Sequence, residues 1–243
     1  MPDIATMIPA SSVSNLMGWW RDAGVDTLID EAPVPWLARG KAAELPTASV
    51  ATVERVVPKE VMPDSLDAFV GWLMSANAIP DAGPPARRVP PSGAAGAEIM
   101  VIIDMPEAGD AEAGNLIAGE VGALFDKMLG AIKRSRADIW LATLSPGRSP
   151  TGRLNPQSEA RLAEIARHHI ALVAPKRLWV MGEAASRAIL GMEMRAARDS
   201  LHNFNHESGT VAAVASYHPR FLLQNPARKG QAWADMQMLI EGL

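Results

Sequence analysis

The apolar positions of this chain change rhythm near residue 97. Before it they recur at helical spacing. Leu16, Trp19 and Trp20 fall on one side of a helix that Ser12 or Ser14 can cap and that runs to about Gly24. Leu66, Phe69, Val70, Leu73 and Met74 mark a second helix, opened by Asp64. After residue 97, short apolar runs over 98–105, 138–144, 177–182 and 210–216 have the character of buried strands. Amphipathic stretches separate them. The first carries Ile117, Val121, Leu124, Phe125, Met128, Leu129 and Ile132. Ser158 caps the next, with Leu162, Ile165, His169, Ile170 and Val173 inward, and Gly191 stops a short helix over 183–190. Asn225 and Pro226 open a final helix carrying Trp233, Met236, Leu239 and Ile240. The alternation predicts an α/β fold: a three-layer α/β/α domain over 97–243 with a central four-stranded parallel sheet. A helical N-terminal extension (1–80) and a Pro/Gly-rich connector (81–96) precede it. Ligands of such folds bind at the C-terminal ends of the strands, so the loops after Met105, Leu144 and Ser216 are where chemistry is expected.

Composition narrows the choices. None of the 243 residues is cysteine, which excludes disulfides, thiolate nucleophiles and cysteine-held metal clusters. No apolar run reaches the roughly 18–20 residues that span a bilayer, and Asp3 breaks a signal-peptide pattern. A cytoplasmic protein without a membrane partner is expected. The net charge of −4 is unevenly spread. Residues 1–130 hold 8 Lys/Arg against 18 Asp/Glu, 131–199 hold 12 against 6, and 200–243 hold 3 against 3. The basic middle suits either a phosphate-binding surface or a set of solvated helix faces.

The dinucleotide, P-loop and hydrolase-elbow motifs are all missing. His202 and His206 have a spacing that puts two metal ligands on one helical face, but Asn203 and Asn205 disfavour helix and no third ligand is near; no metal site is expected. His218 differs. It follows a buried-type strand directly and precedes Pro219, the place an α/β enzyme gives a working histidine, or a structural one.

The stretch Ser216-Tyr217-His218-Pro219 with Leu222, Leu223, Asn225, Pro226, Lys229, Trp233 and Asp235 resembles the last motif of the uracil-DNA glycosylase superfamily, closest to its family 4, the iron–sulfur type. The likeness extends upstream in order, through Val180-Met181-Gly182-Glu183-Ala184-Ala185, through Arg148, Pro150 and Pro156, and through Gly114, Gly119, Gly122, Leu124, Asp126, Met128 and Leu129. It covers about residues 98–242. The resemblance implies a DNA partner and assigns roles. His218 would donate to the leaving base and Asp104 would support the sugar. Pro106, Ile117 and Thr143 would form the base pocket. Arg148, Arg153, Arg220 and Lys229 would hold DNA phosphates. Leu222 would fill the gap left by a flipped base, its alternative being a core leucine.

Departures from the family pattern are specific. Both glycines of its first motif are lost around Asp104 and Pro106. Ile117 stands for a stacking phenylalanine, and Thr143 for an asparagine that reads the uracil edge. Two cluster cysteines fall on Gly147 and Leu162, and the other pair falls near 76–79. The reading is therefore a diverged, monomeric, cluster-free glycosylase with no cofactor, removing uracil or another deaminated base from DNA. The alternatives are a non-catalytic DNA-binding relative and an unrelated small-molecule enzyme.

Overall fold

The computed structural model describes residues 61–243 apart from 207 and 208, together with Trp19. The helix expected near the N-terminus lies outside these residues except for Trp19, whose backbone is helical. All the other described residues belong to the compact unit Val56–Leu243.

Four strands form the parallel centre of one sheet: β2 (Ile99–Ile103), β3 (Ile139–Thr143), β4 (Arg177–Met181) and β6 (Gly209–Ser216). They are the four apolar runs of the sequence. Helices cover both faces, so nearly every strand residue must be apolar, and all five residues of β2 are buried. Alternation divides the core. Ile99, Val101, Ile103, Trp179, Met181 and Val214 join Phe125, Met128 and Leu129 of α3 (Gly119–Ala131) and Met236 and Leu239 of α8 (Lys229–Ile240). Met100, Ile102, Leu178, Val180 and Ala213 join Ile170 and Val173 of α4 (Glu159–Val173) and Ala185 and Ile189 of α5 (Glu183–Leu190).

The sheet has six strands, not four, in the order β1-β3-β2-β4-β6-β5. Both additions are antiparallel edges. β1 (Ser92–Gly93) pairs with β3, and β5 (Leu201–His206) pairs with β6. β1 lies in the stretch read as a connector. β5 contains the histidine pair, and the His202 ring is bonded to the carbonyl of Ala197 at 2.7 Å. Among the described residues no cluster of three potential metal ligands exists, and no helix is long and apolar enough to cross a membrane.

The helix assigned to the extension, α1 (Leu66–Ser75), packs into this unit. Phe69 is fully buried, 5.0 Å from the ring of His169 and 5.3 Å from that of His168. Trp140 Nε1 donates to His169 Nε2 at 2.9 Å, and burial, with His168 adding, pushes the His169 imidazole down to about 3. The Pro/Gly-rich stretch is tied in as well. The buried Arg88 guanidinium donates to the carbonyls of Leu73, Ala76 and Gly83, which closes the C-terminal end of α1, where carbonyls lack helical partners.

Candidate active site

In the parallel register Thr143, Ile103, Met181 and Ser216 lie side by side across four strands. The residues that follow them emerge along one edge of the sheet. Asp104 leaves β2 there. Its Oδ1 accepts the Ala185 N–H at 2.7 Å, in the first turn of α5, where backbone donors are free. Gly182 permits this approach: its φ is +131°, and a Cβ there would overlap the Asp104 carboxylate. Burial pushes the Asp104 carboxyl above its ordinary range, against the amides of Ala185 and Ala184 and the charges of Arg187 and Arg220. Asp104 also lines a cleft of about 850 Å³ shared with Ser149, Thr151, Arg153, Asn155 and Arg187.

His218 leaves β6 and caps the short helix α7 (Pro219–Gln224), with Pro219 in its first turn. The cap dictates its tautomer. Nδ1 accepts the Arg220 N–H at 3.2 Å, so the neutral ring carries its proton on Nε2. Burial, with the nearby positive charges of Arg220 and Arg148, pushes this imidazole down to about 3. Nε2 faces a residue the sequence reading missed. Glu107 Oε1 lies 3.6 Å from it, and Glu107 Oε2 accepts from Arg220 Nη1 at 3.1 Å. Burial pushes the Glu107 carboxyl up, opposed by Arg220 and Arg148. In the sequence Glu107 registers only as a glycine lost from a motif, directly after the pocket proline Pro106.

A second missed residue shapes this loop. Asp110 is fully buried and accepts three backbone N–H groups, from Glu107, Ile117 and Ala118, each at 2.8 Å. It heads the short helix α2 (Asp110–Ala113) and draws together the two feet of the segment 107–118. Ile117 is held at a φ of +52°, which costs a β-branched residue on the order of 1–3 kcal/mol. Arg136 Nη2 grips its carbonyl at 2.7 Å from the other side.

Three assigned positions lie apart from the cleft that Asp104 lines. Ile117 is fully buried in the core cluster of Phe125 and Leu129 and borders a different cavity, of about 1010 Å³, with Ser92, Asn115 and Arg136. Leu222 is 1% exposed in the same cluster, so its core alternative is the one observed. Its neighbour Phe221 is 38% exposed and stacks on Tyr217 at 4.8 Å between centroids. Lys229, on the solvent side of α8, lines a separate small groove with Leu124, Met128 and Leu222. The remaining positions sit near the strand ends. Thr143 ends β3 half-buried, Pro106 is buried, and Arg148 Nη1 donates to the Pro106 carbonyl at 2.9 Å. Arg153 is exposed on the rim of the cleft.

Beneath His218 lies a buried ion pair. Arg198 donates twice to Asp235, at 2.8 and 2.9 Å, and Asp235 Oδ2 also accepts from Ser216 Oγ at 2.8 Å. The same guanidinium lies 4.2 Å from the centroid of Tyr217. Ser216 and Tyr217 are thereby fixed from below just before the chain reaches His218.

The positions where the resemblance puts an iron–sulfur cluster do not fit one. Ala76, Ile79 and Leu162 are buried in one apolar cluster with Phe69, Met105 and Leu144. Gly147 is pressed on the Ala82 carbonyl so closely that any Cβ would overlap it. Hydrocarbon packing occupies the place of the thiolates.

A parallel sheet carries a histidine that caps the helix after its last parallel strand and a carboxylate at the end of another, and the chain belongs to the Uracil DNA glycosylase superfamily, which it matches over residues 90–237. Among curated proteins it is similar to the Type-4 uracil-DNA glycosylase of Pyrobaculum aerophilum. The two are 26% identical over 163 residues, a span covering 63% of this chain and 82% of the relative.

Proposed function

We propose that this protein hydrolyses the N-glycosidic bond of uracil or another deaminated base in DNA, without an iron–sulfur cluster. The observation that carries the reading is the state of His218: buried, neutral and committed by its helix cap to a proton on Nε2. Base excision requires the nucleotide to leave the stack, and negative charge then grows on the departing pyrimidine. A preorganised neutral donor stabilises that charge, and one such donor is worth roughly 2.7–4 kcal/mol. Asp104, anchored on the first turn of α5, sits where a carboxylate can offset positive charge on the sugar. Arg148, Arg153 and Arg220 supply cations for the phosphates. Phe221, exposed beside the histidine, takes the gap-filling role in place of the buried Leu222.

The test is single-turnover excision of uracil, hypoxanthine and xanthine from single- and double-stranded DNA. His218→Ala slows cleavage by about 100-fold or more and leaves DNA affinity nearly unchanged. An active wild type indifferent to this substitution overturns the mechanism. A second reading, a DNA-binding relative without activity, draws on the buried Ile117 and the lone hydroxyl of Thr143. It requires DNA binding with no base released from any substrate.

A further inference from the structure

His218 and Glu107 form a pair that the glycosylase reading alone does not explain. The His218 Nε2–H and Glu107 Oε1 are 3.6 Å apart, too far for a good hydrogen bond to each other and close enough to serve one bound group together. Both are nearly covered, with side chains 10% and 12% exposed. Each is fixed from behind. Arg220 donates its backbone N–H to His218 Nδ1 and its guanidinium to Glu107 Oε2, while Asp110 holds the backbone N–H of Glu107. The pair therefore presents a donor beside an acceptor. Thr143, with a single hydroxyl, is unable to offer that combination as a side-chain amide does.

Deamination changes a base edge in a way this pair can sense. Cytosine N3 and adenine N1 are bare acceptors flanked by an exocyclic amine. In uracil and hypoxanthine the same ring nitrogens carry a proton and the amine has become a carbonyl. An N–H beside a C=O is the complement of a carboxylate beside an N–H donor. We infer that Glu107 is a specificity-determining residue, whose carboxylate accepts the ring N–H gained on deamination while His218 donates to the adjacent carbonyl. The parent base turns a lone pair toward the carboxylate and leaves a buried acceptor unsatisfied. A site built to satisfy a polar partner rejects an analogue lacking it by large factors, up to about 10⁴–10⁵. The pair does not separate uracil from thymine, which carries the same edge, so thymine must be excluded elsewhere in the pocket.

This inference rests on the glycosylase reading, and binding separates the two. His218 ring-nitrogen NMR signals are followed while 1-methyluracil or 1-methylcytosine is added to the full chain, wild type and Glu107→Gln. Glutamine keeps the size of the side chain and an oxygen for Arg220, but it can turn an amide donor toward a ring lone pair. The wild type favours 1-methyluracil by about 100-fold or more, and the variant brings the two probes to within about 3-fold. Equal binding of both probes by the wild type, or a preference that survives in Glu107→Gln, overturns the assignment of Glu107. Excision of uracil, hypoxanthine and xanthine is measured in parallel. Release of none of them by the wild type sinks the glycosylase reading while the binding result still decides the role of Glu107.

Discussion

Removing one partner of the Arg198–Asp235 pair has a cost that the structure sizes. Arg198 is 4% exposed and Asp235 not at all, so neither charge can turn to water when the other is lost. Asp235→Ala takes from a buried guanidinium the carboxylate it bonds twice and leaves it the exposed Asp199 at 3.6 Å, at a cost of about 3 kcal/mol, and leaves the Ser216 hydroxyl without its acceptor, at a further cost of about 1 kcal/mol. Against a typical domain stability of about 5–15 kcal/mol this is a severe loss. The double variant Arg198→Met with Asp235→Leu removes both charges and refills the space. Apolar replacement of a buried pair is often neutral or stabilising, so most of the loss should be recovered. Urea denaturation with linear extrapolation reads both, with the slope required to stay constant. A loss below about 1 kcal/mol in Asp235→Ala refutes the argument. So does a double variant no more stable than the single one, because the penalty would then come from packing and not from the stranded charge.

Other expectations are briefer. Arg88→Met deprives the carbonyls of Leu73, Ala76 and Gly83 of their donor; limited proteolysis should cut within 76–88 faster in the variant, at wild-type resistance elsewhere. Gly147→Cys, offered as restoration of a cluster ligand, should lower the melting temperature with or without iron, because its Cβ meets the Ala82 carbonyl. His169 is neutral in the fold down to about pH 3, whereas in the unfolded chain it takes up a proton below about pH 6.5. Its contribution to stability is therefore full above pH 6.5 and is lost progressively as pH falls toward 3. His169→Asn should lose roughly 2 kcal/mol less than the wild type between pH 7 and pH 5 in urea denaturation, and equal losses would contradict the neutral assignment.

The parallel core was legible because strands covered on both faces must be written in unbroken apolar residues, as 99–103 and 178–181 are. The edges were not. β1 is two residues, Ser92 and Gly93, with no side-chain pattern to read, and the asparagines of β5 are as common in turns as on a solvated edge. His218 could be found because a strand before it and a proline after it leave it one place to stand. Glu107 could not, since nothing in the order of loop residues says which of them turns inward; its bonds to Arg220 and Asp110 decide that. Which of Phe221 and Leu222 is exposed was not legible either. α7 is only six residues long, too short for periodicity to show that Phe221 faces out and Leu222 in.

The Asp110 clasp has a consequence for the chain's tolerance of change. Because one carboxylate ties residues 107, 117 and 118 together, the excursion between them, exposed from Glu112 to Asn115, is sealed off at its base. Residues could be added or removed at its tip with little effect on Glu107 or His218. The tip is thus a natural port for a fluorophore, a tether or a small inserted module that reports on binding beside Glu107 and His218. Asp110 itself is the residue such a design must leave alone.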